Sequence, residues 1–290
     1  MREIIENAFA KLNLSLDVVS KFSDGYHELC MVMQSVSLCD DVAVTLRDDG
    51  VISVESDLRY LPSDERNIAY KAARAFFEKH QDSTLGADIK ITKRIPVCAG
   101  MGGGSSDGAA VLRALNRLTN RPFSRAELEN IGAELGSDIP FCIAGGTCLA
   151  KGRGELLSDL KPLPMCKIII CKPRFSVSTP ELFEKIDSCA VRYHPDTQGL
   201  LSGMEHGSLL EISRRMYNVF EGVLPTKPDD VQSIKNALLD FGALGAVMTG
   251  TGSSVFGIFD SDEKASAAEA MLLEQYREVF SAVPLQRLEI

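Results

Sequence analysis

Hydrophobic and polar residues alternate near the start of the chain, where Leu12, Leu14, Leu16 and Val18 are separated by Asn13, Ser15 and Asp17. A period of two predicts a half-buried strand and sets Lys11 and Asn13 side by side on its other face. The turn residues Ser23-Asp24-Gly25 follow, then Tyr26, His27 and an apolar segment through Val36. Two alternating runs at 42–46 and 51–54 flank Asp48-Asp49-Gly50 and predict a hairpin. Pro62 and Ser63, followed by Asp64 and Glu65, predict a helix running to about His80. Ile89 and Ile91 alternate with polar residues in a further strand, and Ser124 with Glu127 forms a capping-box pattern for a helix that ends at Gly136. A hairpin is expected around Lys151-Gly152-Arg153-Gly154.

A second unit begins near Pro162-Leu163-Pro164. Residues 166–171 read as a buried strand, and Pro180 suits the first position of a helix capped by Thr179. Helices are expected over about 208–222 and 228–241. A strand at 245–248, the loop 249–254 and a returning strand at 255–259 come next. A long amphipathic helix over about 261–280 and a last strand close the chain. Strands and helices mixed in this order predict an α+β fold rather than repeated βαβ units.

Within the first unit lies Pro96-Val97-Cys98-Ala99-Gly100-Met101-Gly102-Gly103-Gly104-Ser105-Ser106, which runs straight into a helical segment. Glycines let backbone N–H groups approach a ligand closely and adopt positive φ. A helix starting there points its positive end and unpaired N–H groups at whatever fills the loop, so phosphate is the expected occupant. A Walker A loop is excluded because no lysine stands between Lys93 and Lys151, and a Rossmann fingerprint because Ser105 occupies its last glycine position. The alternative is an ordinary turn before a helix capped by Ser105 or Ser106. The apolar neighbours of Cys98 predict a packed, unreactive thiol.

Composition narrows the class. The chain has 290 residues, 45% hydrophobic and 24% charged, the balance of a globular protein. A net charge of -9 without a Lys/Arg block excludes a nucleic-acid partner. No apolar run is long enough to span a bilayer, and the N-terminus is too acidic for a signal peptide. Eight cysteines without CxxC pairs predict reduced thiols in a cytoplasmic protein. Four histidines outside any metal-ligand pattern argue against a transition-metal enzyme.

Three motifs spread over the whole chain resemble those of the GHMP small-molecule kinases. They are Ala10-Lys11-Leu12-Asn13-Leu14, the glycine loop at 96–110, and Met248-Thr249-Gly250-Thr251-Gly252. Two further pieces, Asp24-Gly25-Tyr26-His27-Glu28-Leu29 and Gly136-Ser137-Asp138-Ile139-Pro140-Phe141, are similar to the branch that phosphorylates the 2-hydroxyl of a methylerythritol bearing cytidine diphosphate, a step of non-mevalonate isoprenoid synthesis. The resemblance implies two α+β lobes, about 1–160 and 161–290, with the active site in the cleft between them. It implies ATP and Mg²⁺ as cofactors, without assigning a protein ligand to the metal, and places residues 96–106 on the ATP phosphates. Asp138 matches the family's catalytic base and Lys11 its catalytic lysine. Tyr26 and His27, with Phe183, match the cytidine site, and Asn13 the methylerythritol end. Met101, Gly108, Thr249, Thr251 and Ser253 depart from the usual leucine, alanine, serine, serine and proline. Other readings are a GHMP kinase for mevalonate-type, homoserine or sugar substrates, opposed by Asp24-Gly25-Tyr26-His27, and a non-catalytic nucleotide-binding relative, opposed by the presence of both Lys11 and Asp138.

Overall fold

Strand β1, Glu3–Lys21, is longer than its alternating centre and pairs antiparallel with β2, His27–Arg47. The computed structural model describes residues 3–82, 84–189, 191–224 and 228–289. The β1–β2 pairing slips between Phe9 and Lys11, between Asn13 and Ser15, and between Val18 and Ser20. A one-residue slip sends every following side chain to the other face. Accordingly Ala8, Leu16 and Val18 belong to one buried cluster, whereas Ala10, Leu12 and Leu14 belong to a second. The turned-over stretch brings Lys11 and Asn13 to the side of the sheet where the glycine-loop helix packs.

The other elements are β3 (Ile52–Ser56), α1 (Ile68–His80), β4 (Gly86–Thr92), α2 (Gly103–Leu118), α3 (Arg125–Leu135), α4 (Ile139–Ala144), β5 (Thr147–Gly152), β6 (Leu156–Asp159), β7 (Lys167–Lys172) and α5 (Thr179–Ser188). Then come α6 (Thr197–His206), α7 (Leu209–Arg214), β8 (Tyr217–Asn218), α8 (Pro228–Asp240), β9 (Gly245–Met248), β10 (Val255–Phe259), α9 (Asp262–Gln275) and β11 (Glu278–Ala282). A first sheet runs β3-β4-β2-β1-β8, with β5 on β2 and β6 on β5; a second runs β11-β7-β10-β9.

Several sequence expectations are corrected. The runs at 42–46 and 51–54 form no hairpin, because β4 enters between them, antiparallel to β2 and parallel to β3. Gly50 N–H instead donates to Thr84 and Ala87 N–H to Val51. A side chain at Gly86 would collide with the Val51 carbonyl, 2.1 Å from its Cβ position, so glycine there admits the closer strand. Helix α1 starts five residues beyond Ser63, where the Asn67 side chain caps it by accepting from Ala69 N–H. The helix expected over 208–222 resolves into α7, β8 and a 3₁₀ turn at Val219–Val223, with α6 unforeseen before it. Thr179 is the first residue of α5 rather than its cap; its hydroxyl meets that of Thr251 at 2.9 Å. Helix α9 stops at Gln275, leaving room for β11. The capping box at Ser124 and Glu127 is present.

The chain crosses twice from the second sheet back to the first. Tyr217 and Asn218 of β8 pair parallel with Ser15 and Leu16. Beyond β11, Val283 accepts from Ser37 N–H, Leu285 N–H donates to Ser35 and Leu288 N–H to Ala144. The proposed boundary at 160/161 falls between β6 and β7. Among the described residues no helix is long and apolar enough to cross a membrane.

Candidate active site

The glycine loop bends sharply, with φ of +75° at Gly100 and +69° at Gly102. Gly102 occupies the N-cap position of α2 and supplies no side chain, so no side-chain hydrogen bond closes that helix end. The first-turn N–H groups are thus left for an anion. Neither serine caps the helix. Ser106 is buried and donates to the Phe9 carbonyl, tying α2 to β1, while Ser105 lines the cleft. A Cβ at Gly104 would meet nothing within 4 Å, whereas one at Gly103 would press on Ile95 and on Lys93 Nζ at 3.3 Å. Cys98 is exposed in the cleft with φ +54°, which corrects the packed thiol expected from its neighbours. The buried thiols are those of Cys142, Cys148, Cys166 and Cys171, pushed up chiefly by burial to about 12, and to about 11 for Cys148.

Lys11 reaches this loop through both backbone and side chain. Its N–H donates to Met101 O at 3.1 Å, a bond made possible by the slip in β1. Its side chain crosses Gly102, where an added Cβ would sit 3.0 Å from Lys11 Cγ. Lys11 Nζ donates to Asn13 Oδ1 at 2.8 Å and stands 3.6 Å from Asp138 Oδ2. Asp138 is the N-cap of α4 but makes no side-chain capping bond, so its carboxylate, 32% exposed, faces the cleft. Asn13 is fully buried, not on the cleft wall; its N–H donates to Thr249 Oγ1 and its Nδ2 to Met31 Sδ.

The second glycine-rich loop closes on the first. A Cβ at Gly100 would lie 2.2 Å from the Thr249 carbonyl, and one at Gly250 would lie 2.6 Å from the Gly100 carbonyl. Ser254 N–H donates to Ala99 O. Backbone meets backbone here, which only glycine permits. The resulting cleft of about 750 Å³ is lined by Lys11, residues 96–105 and Asp138 on one side and by residues 177–180, Phe183, Phe220 and 250–252 on the other.

The expected cytidine residues do not form one cluster. Phe183 lines the cleft and stacks on His27 at 4.7 Å between ring centres, with its other contact edge-on to Phe220 at 5.1 Å. His27 Nε2 lies 2.8 Å from Asp187 Oδ1 at the end of α5, and Lys21 also pairs with Asp187. Hydrogen bonds from Lys21 and then His27 hold the Asp187 carboxyl below its usual range. Tyr26 is 58% exposed, with the Arg153 guanidinium 4.0 Å over its ring and bonded to Asp24.

Sequence reasoning missed a buried triad beneath the loop. Lys93 Nζ donates to Asp40 Oδ2 at 2.5 Å and to Asp107 Oδ2 at 2.7 Å. Burial raises the Asp107 pKa and the Asp40 charge adds to it, against the pull of Lys93. For Lys93 burial acts downward, but the charges of Asp107 and Asp40 more than offset it and its pKa is raised. Asp107 stands in the Gly-Gly-Gly-Ser-Ser-Asp run, which is a signal; Asp40 lies in a distant strand and gives none.

Residues 67–146 match the family described as GHMP kinases N terminal domain, and residues 200–278 match GHMP kinases C terminal. A curated relative from Clostridium acetobutylicum, named 4-diphosphocytidyl-2-C-methyl-D-erythritol kinase, is 40% identical over 94% of this chain and 97% of its own length. The chain belongs to the GHMP kinases. Another GHMP kinase with the same name, from Bacillus velezensis, is 44% identical over 90% of each chain. A crystal structure of 4-(cytidine 5'-diphospho)-2C-methyl-D-erythritol kinase superposes with a TM-score of 0.79 at 28% identity, covering 97% of this chain and 99% of that one. A homoserine kinase from Cytophaga hutchinsonii, 21% identical with a TM-score of 0.76 over 99% and 96% of the chains, shares the GHMP kinase fold.

Proposed function

We infer that this chain transfers the γ-phosphate of ATP to the 2-hydroxyl of 4-diphosphocytidyl-2-C-methyl-D-erythritol, in the synthesis of isoprenoid precursors by the non-mevalonate route. The observation that carries the chemistry is the pair Lys11 and Asp138, 3.6 Å apart at the mouth of an uncapped helix N-terminus. The substrate rests on the similarity to kinases of that name.

Phosphoryl transfer asks a protein for positioning, charge neutralisation and a proton acceptor. The N–H groups of the loop and of α2 hold the phosphates. Asp138, free of any capping bond, accepts the proton of the attacking hydroxyl. Lys11 neutralises charge that gathers on the moving phosphoryl group. Asn13, engaged with Lys11 Nζ inside the protein, sets the lysine's position and leaves the substrate to other groups. The stretch of cleft wall formed by Leu61, Pro62, Arg66, Asn67 and Ile68 sets apolar side chains beside a guanidinium and an amide, a mixture that suits the flat base of the nucleotide. The cytidine end belongs beside Phe183, with His27 and Tyr26 behind and at the rim.

Among the described residues no group of three or more His, Cys, Asp or Glu side chains is placed to hold a metal ion. Mg²⁺ takes one or two carboxylates besides phosphate and water, so the Asp138 carboxylate in the cleft would suit an ion brought in on the triphosphate. Asp138 is the carboxylate it would meet, and the ion would neutralise phosphate charge there. The test is an ATP-dependent phosphorylation assay of the diphosphocytidyl substrate with mevalonate and homoserine alongside. Turnover of either of the latter in preference to the first would overturn the substrate assignment.

A further inference from the structure

Beneath the site proposed for the ATP phosphates lies a group of three buried charges that carries one negative charge too many. The side chains of Lys93, Asp40 and Asp107 are 4%, 0% and 7% exposed. Lys93 Nζ stands 3.3 Å from the Cβ position of Gly103, so the group backs directly onto the first turn of α2. Lys93 and Asp107 also line the cleft. Two carboxylates against one ammonium leave a net negative charge where an anion is to bind, and in a poorly solvated setting such like charges repel strongly.

The two carboxylates are not equivalent. Asp40 is fully engaged, with Oδ2 on Lys93 and Oδ1 accepting from the N–H groups of Arg94 and Ile95. Asp107 has Lys93 on Oδ2, but its Oδ1 is buried without a hydrogen-bond partner. An ionised oxygen in that position is costly, and a proton there removes the charge, leaving a neutral O–H that is much cheaper to bury. Lys93 and Asp40 are the charged groups that face Asp107. Helix α1 meets α2 through Ile68 and Ala72 at Gly108. Lys11 of β1 is engaged with Asn13 and Asp138, and Glu6 with Arg113 and Arg117.

We propose that nucleotide binding by this chain takes up a proton from solvent onto Asp107 Oδ1, bringing the Asp40–Lys93–Asp107 group to neutrality beneath the bound phosphates. The step forms one O–H bond, and the buffer supplies the proton. Its direction agrees with the raised pKa of Asp107 in the unliganded protein. Asp107 is a positioning and charge-setting residue here and touches no reacting atom. The inference rests on the reading that residues 96–106 hold the phosphates of ATP.

Calorimetric titration of the intact protein with a non-hydrolysable Mg²⁺–ATP analogue, in buffers of different ionisation enthalpy, measures the proton count. Wild type is expected to gain up to about one proton per nucleotide, and its affinity to fall by up to about tenfold per pH unit once Asp107 ionises in the free protein. Asp107→Asn is expected to bind with buffer-independent heat, beyond the small titration of the nucleotide itself, and with a flat pH profile. Infrared difference spectra of wild type are expected to gain a carboxylic-acid C=O band on binding, a reading that needs no variant. Binding with the same proton count in both proteins and no such band would overturn the proposal. Absence of nucleotide binding by wild type would instead overturn the assignment of the loop.

Discussion

Lys11 and Asp138 face each other at 3.6 Å because of two local details, the slip in β1 and the unused cap at Asp138. If they act as one unit, Asp138→Asn should lower kcat by about 10²–10⁴ with little change in substrate KM. Lys11→Ala should lose a comparable amount, and the double variant far less than the product of the two; steady-state kinetics of all three proteins decide it. Both residues were legible in the sequence because each stands inside a compact motif. The partner that holds Lys11 was legible as a residue but not as a role, since burial of Asn13 depends on Thr249 and Met31 far along the chain. Asp107 permits a prediction about pH. Its folded pKa lies above the ordinary 3.8, so the folded state binds more protons than the unfolded state as pH rises past that value. This contribution to stability is present at low pH and declines towards neutrality. Denaturant titrations over the mildly acidic range should show that decline in wild type and its loss in Asp107→Asn; an unchanged slope would refute it.

At the scale of elements, the start of α2 carries the most function per residue. Gly102 has φ +69° and leaves room for Lys11 Cγ at 3.0 Å from its Cβ position. Gly102→Ala therefore strains the loop and displaces the lysine at once. A loss in kcat of up to about 10²-fold is expected, larger than any rise in KM for ATP. Equal loss in both would indicate general collapse of the loop. Periodicity gave the strands and the glycine-rich helix start, because those are properties of neighbouring residues. It misassigned the partner of β3, because the Gly86–Val51 approach that admits β4 joins residues far apart in sequence. The broken segment after α6 failed for the same reason. Asn218 leaves helical geometry with its Nδ2 donating to Met248 O and Gly250 O, and no local pattern announces that.

On the scale of the whole molecule, the two sheets are joined by backbone contact at Gly100 and Gly250 and by two returns of the chain. Removing residues from Val283 onward should therefore destabilise the first sheet, although those residues follow the last strand of the second. Ser35 O loses the Leu285 N–H, half-buried Ser37 N–H loses the Val283 carbonyl, and buried Gln34 Nε2 keeps the Ser35 carbonyl but loses that of Leu285. A cost of about 0.5–1.5 kcal/mol for each hydrogen bond lost is expected, seen as a lower urea midpoint; an unchanged midpoint would show that these bonds add no stability. The same return has a consequence for biosynthesis. A ribosome makes the chain from the N-terminus, and domains generally fold in that order as they emerge. Here β1 waits for Tyr217 and Asn218, and β2 waits for Val283 and Leu285, made more than two hundred residues after it. A nascent chain arrested after β11 should thus remain sensitive to protease around Ser35, and the first sheet can reach its final form only once residues 283–288 have emerged.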